Sequence, residues 1–127
     1  MNLYVIDYHG TLDTLPDPVG YIQSLKGDPK VKVVIHTGDH LRVPRAVLAV
    51  ADELWLKPKD LKGVYLRGIN EVIIADDERL ILRSWSRYLR AMFEGTHQLW
   101  TPLDLQKHAD HLRQDREAAN NPHPLGG

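Results

Sequence analysis

Apolar residues fall along the chain in short, β-branched runs that stop at polar residues, and helical-period stretches lie between them. Leu3-Tyr4-Val5-Ile6 ends at Asp7, Val31 to Ile35 ends at His36-Thr37-Gly38, and Glu71 to Ala75 ends at Asp76-Asp77. Runs of this length and composition read as buried strands delivering polar groups to their C-terminal tips. Glu53 to Leu56 and Gln98 to Trp100 are expected as shorter third and fifth strands.

The intervening segments carry helix signals. Asp17-Pro18 places a capping acid before a proline, and Val19, Ile22 and Leu25 then recur at helical spacing as far as Gly27. Pro44 to Val50 and Lys59 to Arg67 read as short helices. Arg79 to Phe93 reads as a longer one, with Leu82, Trp85, Leu89, Met92 and Phe93 on an apolar stripe assigned to the core. A final amphipathic helix is expected from Pro102.

Strands alternating with helices imply a parallel sheet, because parallel neighbours need crossover connections. The expected fold is therefore α/β: a doubly wound, Rossmann-like sheet of about five strands with helices on both faces. Residues 1–117 form the expected domain. The Pro-, Asn- and Gly-containing stretch 118–127 has too little apolar content to pack and is expected to be a disordered tail.

Composition narrows the chemistry. The 127 residues include no cysteine, so disulfides, thiolate metal sites and cysteine nucleophiles are excluded, and a cytoplasmic location is expected. No apolar run approaches the roughly 18 residues of a membrane span, and no basic leader opens the chain, so no membrane association is expected. Sixteen basic against seventeen acidic residues leave a net charge of -1, which removes any global field for nucleic acid. The local stripe Arg79, Arg83, Arg87 and Arg90 reads first as a solvated helix face and second as a nucleic-acid contact.

In open α/β sheets ligands bind beyond the carboxyl ends of the strands, so Asp7, Thr37 and Asp76-Asp77 are expected to converge. Gly10 and Thr11, and Thr37 with Gly38, offer tight turns with hydroxyls and exposed amides suited to phosphate. Lys57 and Lys59 precede the third site. His36 and His40, four positions apart across a strand end, have poor helical ligand geometry for zinc. His108 and His111 read, with Asp104, as a solvated helix face.

Together these residues resemble the haloacid dehalogenase superfamily. VIDYHGTLD at Val5 to Asp13 is similar to its first motif, VVIHTG at Val33 to Gly38 to its second, KPKDL at Lys57 to Leu61 to its third and VIIADDE at Val72 to Glu78 to its fourth. The segment from Lys57 to Glu78 resembles the carboxy-terminal-domain small phosphatases, and DDERLILRSWSRYL resembles polynucleotide 3′-phosphatase domains.

The resemblance implies a phosphatase in which Asp7 attacks phosphorus and forms an aspartyl-phosphate. It implies Mg²⁺ as cofactor, held by Asp7, the His9 carbonyl and an acid of the fourth motif, Asp77 or Asp76. Lys59, or Lys57, would bridge nucleophile and phosphate. Thr37 and the backbone around His9, Gly10 and Gly38 would bind phosphoryl oxygens. The chain departs from the family at His9, where aspartate usually serves as general acid and base; imidazole exchanges protons in the same range. Residues 8 to 30 leave no room for a cap domain, so the expected site is open to a phosphorylated macromolecule, or to a small molecule if a homo-oligomer supplies the lid. A weakly catalytic binding protein and a nucleic-acid 3′-end phosphatase are the alternative readings.

Overall fold

A computed structural model describes residues 1–38, 42–55 and 66–120. Five strands, β1 (Asn2–Asp7), β2 (Val31–His36), β3 (Glu53–Trp55), β4 (Glu71–Ala75) and β5 (Thr96–Trp100), form one sheet in the order β3-β2-β1-β4-β5. Every neighbouring pair is parallel. Helices α1 (Pro18–Leu25), α2 (Arg45–Val50), α3 (Arg79–Met92) and α4 (Pro102–Asn120) complete the described elements, with a 3-10 turn at Leu12–Thr14. The protein has the doubly wound α/β, Rossmann-like architecture that the alternation predicts.

Strand alternation sorts the core onto two faces. Leu3 and Val5 of β1, Val34 of β2, and Val72 and Ile74 of β4 pack with Leu82, Trp85 and Leu89 of α3, and with Leu66 and Ile69. On the other face Ile6, Val33, Ile35 and Ala75 pack with Tyr21, Ile22 and Leu25 of α1, Val47 of α2 and Leu105 of α4. Trp85 and Leu89 are wholly buried, so each contributes on the order of 1.5–3 kcal/mol of apolar transfer free energy. Met92, assigned to the same stripe, is instead exposed.

Helix α1 starts where the sequence places it: the Asp17 carboxylate accepts from the Gly20 amide at 2.9 Å, and Pro18 sits at the first helical position. Strand β5 starts earlier than its apolar residues suggest. Thr96 pairs with Glu71, and the side chains of Thr96 and Gln98 both donate to the Glu71 carboxylate at 3.2 Å, so polar cross-strand bonds extend this exposed edge strand. Helix α4 runs to Asn120 and takes in residues 118–120, which composition assigned to the tail; the strong helix former alanine occupies two of these three positions. No helix among the described residues is long and apolar enough to cross a membrane.

The chain builds outward from β1 to β2 and β3, then returns to the opposite side of β1 with β4 and β5. The direction of winding thus reverses between β1 and β4. That boundary is where an open α/β sheet leaves a crevice at its carboxyl edge.

Candidate functional site

Three polar residues end three apolar runs in equivalent positions: Val5-Ile6-Asp7, Val34-Ile35-His36 and Ile74-Ala75-Asp76. Asp7 pairs in register with His36, and Ile6 with Ala75, so Asp76 follows the last paired residue of β4 directly. Alternation sends Asp7, His36 and Asp76 to the α3 face, two residues beyond Val5, Val34 and Ile74. One side-chain ligand atom from each lies within 4.8 Å of the other two. Neighbouring strands in a sheet stand about 4.8 Å apart, which is what lets side chains at equivalent ends of β1, β2 and β4 meet.

The ladders continue past these residues. The Thr37 amide donates to the Trp55 carbonyl and the Asp76 amide to the Trp100 carbonyl, both at 3.1 Å, which ties each strand end to its outer neighbour. Asp76 is 3% exposed, His36 6% and Thr37 2%. The His36 ring meets Trp85 edge-on, with centroids 5.7 Å apart at 80°.

The loop after β1 folds over the site. The amides of Thr11 and Asp13 both donate to the Tyr8 carbonyl, and the Gly10 amide donates to the Asp13 carboxylate at 2.8 Å. Gly10 takes φ +77°, and a Cβ at that position would run into the Asp77 carboxylate. Glycine is required there both for its backbone angle and for the close approach to Asp77. The Thr11 hydroxyl, fully buried, donates to Asp7 Oδ2 at 3.1 Å.

Burial and neighbouring acids raise the pKa values of Asp7 and Asp76. Burial, then the charge of Asp76, then that of Asp77 push Asp7 up to about 8, against the lowering effect of the Thr11 hydrogen bond. Burial pushes Asp76 up to about 6, with the neighbouring charges of Asp77 and Glu78 adding to it and the Glu78 amide bond at 2.9 Å opposing it. Among the described residues no cationic side chain forms an ion pair with Asp7, Asp76 or Asp77. A cluster of acids that finds no ion-pair partner among the described residues is a fitting place for a divalent cation, and the carboxylate oxygens suit a hard one.

The structure brings together Asp7, Thr11, Asp76, Asp77 and the Gly10 turn, with Thr37 buried at the same edge of the sheet. Gly38 has open space where a side chain would be. His9 points elsewhere: its Nδ1 lies 3.9 Å from Asp13 Oδ2, its ring meets Tyr8 edge-on, and its Nε2 is buried with no hydrogen-bond partner among the described residues. Lys57, Lys59, His40 and most of the short helix expected at 59–67 lie outside the described residues.

His36 is the residue that sequence reasoning passed over. Its spacing to His40 invites reading the two as a zinc pair, whereas a ring nitrogen of His36 lies within 4.8 Å of the two acids at equivalent strand ends; the repeated apolar-apolar-polar triplet carries that signal. His108 also departs from expectation. It is half-buried, with Nδ1 2.8 Å from the Tyr21 hydroxyl and its ring stacked on Tyr4, because α4 packs across α1 and β5. His111 faces solvent and pairs with Asp115 at 3.5 Å.

No protein-family model and no curated protein matches the chain. A solved structure, "Structure of MT0777", aligns with 90% of this chain and 97% of its own at 12% identity, with a TM-score of 0.43. A likeness at that level carries no argument about what this chain does.

Proposed function

We propose that this protein is a divalent-cation-dependent phosphohydrolase that works through an aspartyl-phosphate on Asp7. The observation that carries the reading is the meeting of Asp7 with Asp76 and Asp77 at the carboxyl edge of β1 and β4, where the winding of the sheet reverses. The four motif resemblances support it independently.

Asp7, Asp76, Asp77 and the His9 carbonyl are the groups that would hold the cation, Mg²⁺ by the resemblance. Bound there, it neutralises the acids and so lets an anionic phosphate approach a carboxylate. The protein's own part begins with Thr11, whose hydroxyl fixes one Asp7 oxygen and leaves the other for in-line attack on phosphorus. Thr37 and the amide of Gly38 would bind the phosphoryl oxygens, the amides of Gly10, Thr11 and Asp13 being taken up within their own turn, and Lys59 or Lys57 would supply positive charge. The resemblance gives position 9 the proton that passes to the leaving group and the one taken from water, so His9 would have to turn away from Asp13 to serve.

A second reading, a phosphate-binding protein with little turnover, is favoured by the contact of His9 with Asp13, which holds the imidazole by Nδ1. Phosphate release from an aryl phosphate, a phosphorylated-metabolite panel and a 3′-phosphorylated oligonucleotide distinguishes the two. Mg²⁺-dependent turnover that is lost in Asp7→Asn bears out the enzyme. Phosphate binding without release from any substrate sinks it and leaves the binding protein.

A further inference from the structure

We infer that His36 is itself a ligand of the cation held by Asp7 and Asp76, and that the mixed nitrogen and oxygen donor set selects a first-row transition ion over Mg²⁺. The inference rests on the cation-binding half of the reading above and does not need phosphoryl transfer.

Geometry comes first. Ligands around one small ion, each about 2.1 Å from it, stand roughly 3.0–4.2 Å apart. The donor atoms of Asp7, His36 and Asp76 already lie within 4.8 Å of one another, so side-chain shifts of about 1 Å or less close the site. Each group is oriented by its surroundings. Thr11 holds Asp7 through Oδ2, the Glu78 amide holds Asp76 through Oδ1, and the Trp85 ring stands edge-on to the imidazole. Supports of this kind aim ligands and restrict their rotation.

Chemistry then sets the ion. Mg²⁺ takes oxygen donors in near-ideal octahedral geometry and binds few imidazoles. Imidazole together with carboxylates suits Mn²⁺, Fe²⁺, Co²⁺ and Zn²⁺, with affinity generally rising across the row. A histidine 6% exposed and in register with Asp7 places its nitrogen inside the set of acids.

The test uses the full chain stripped of metal by a chelator. Titration calorimetry with Mg²⁺ and with Co²⁺ is expected to show Co²⁺ bound at least about tenfold more tightly. The visible absorption of bound Co²⁺ is expected to weaken in His36→Gln together with a loss of about tenfold or more in Co²⁺ affinity. Equal affinity for the two ions, or Co²⁺ binding unchanged in His36→Gln, overturns the inference. Should His36→Gln fail the circular dichroism check for folding, pulsed electron paramagnetic resonance of the wild-type Mn²⁺ complex decides. Modulation from a directly bound ¹⁴N that disappears in Asp76→Asn upholds the ligand, since a surface histidine such as His111 would keep it; its absence from the wild type overturns the inference. Phosphate release is scored separately. Metal bound through His36 without turnover keeps this inference and removes the phosphohydrolase.

Discussion

Thr11 donates its hydroxyl hydrogen to Asp7 Oδ2 across 3.1 Å, and among the influences of the described residues on the Asp7 carboxyl this bond alone lowers its pKa. Thr11→Val keeps the shape and removes the donor, so Asp7 is expected to titrate at a higher pH than in the wild type. The acid limb of metal binding, read by calorimetry across pH, should move to higher pH. An unmoved limb would show that burial and the neighbouring acids already determine the titration.

Asp7 opposes the stability of the metal-free fold once it ionises. Its pKa is pushed up to about 8 in the folded protein from an ordinary 3.8, so the folded state holds the proton more tightly. The resulting stabilisation is complete below pH 4 and is lost as pH rises through 8. Asp7→Asn, which never ionises, is therefore expected to melt above the metal-free wild type at pH 9, by about 4 °C for each kcal/mol of repulsion relieved. Adding metal should raise the wild-type melting temperature and leave the variant nearly unchanged. A variant no more stable than the wild type at pH 9 contradicts the repulsion.

Gly10→Ala tests the turn that backs onto Asp77. The positive φ of +77° costs an L-residue roughly 1–2 kcal/mol, and the added methyl displaces the Asp77 carboxylate. Denaturant unfolding should show that loss and calorimetry a weaker cation site. Unchanged metal affinity would take Asp77 out of the ligand set.

The Tyr21 hydroxyl and His108 Nδ1, 2.8 Å apart, join α1 to α4 away from the site. Burial, and then the charge of His111, lowers the His108 pKa below its ordinary 6.5. The unfolded chain therefore takes up the proton first, and the contribution of His108 to stability is present above pH 6.5 and lost as pH falls below it. Tyr21→Phe is expected to cost about 1 kcal/mol at pH 7.5, where the ring is neutral. His108→Gln should flatten the decline in melting temperature on the acid side of pH 6.5; an undiminished decline assigns it to another group.

Most of the sheet was readable because burial on both faces writes each central strand as a continuous apolar run. Val5-Ile6-Asp7 and Ile74-Ala75-Asp76 announced both the strand and its functional end. The start of strand β5 is hidden because Thr96 and His97 carry no such run; a cross-strand bond to Glu71 holds Thr96 and a bond to Ser86 of α3 holds His97. His36 is hidden for a different reason: its spacing to His40 lies along the chain, while its spacing to Asp7 and Asp76 runs across strands and is visible only once the register is known. His108 looked solvated because α4 is mostly polar, and the aromatic partners that enclose it come from distant parts of the chain, Tyr4, Tyr21 and Trp100.

The ladder between β1 and β4 pairs Ile6 with Ala75 and so brings Asp76, not Asp77, onto the face that carries Asp7. A slip of one residue would exchange them, sending Asp76 toward the α1 side of the sheet. Backbone pairing in the middle of the molecule thus acts as a gauge for chemistry at its rim. Truncating Ile74, which anchors that pairing from within the core, would blur the spacing of the acids well before the protein lost its fold.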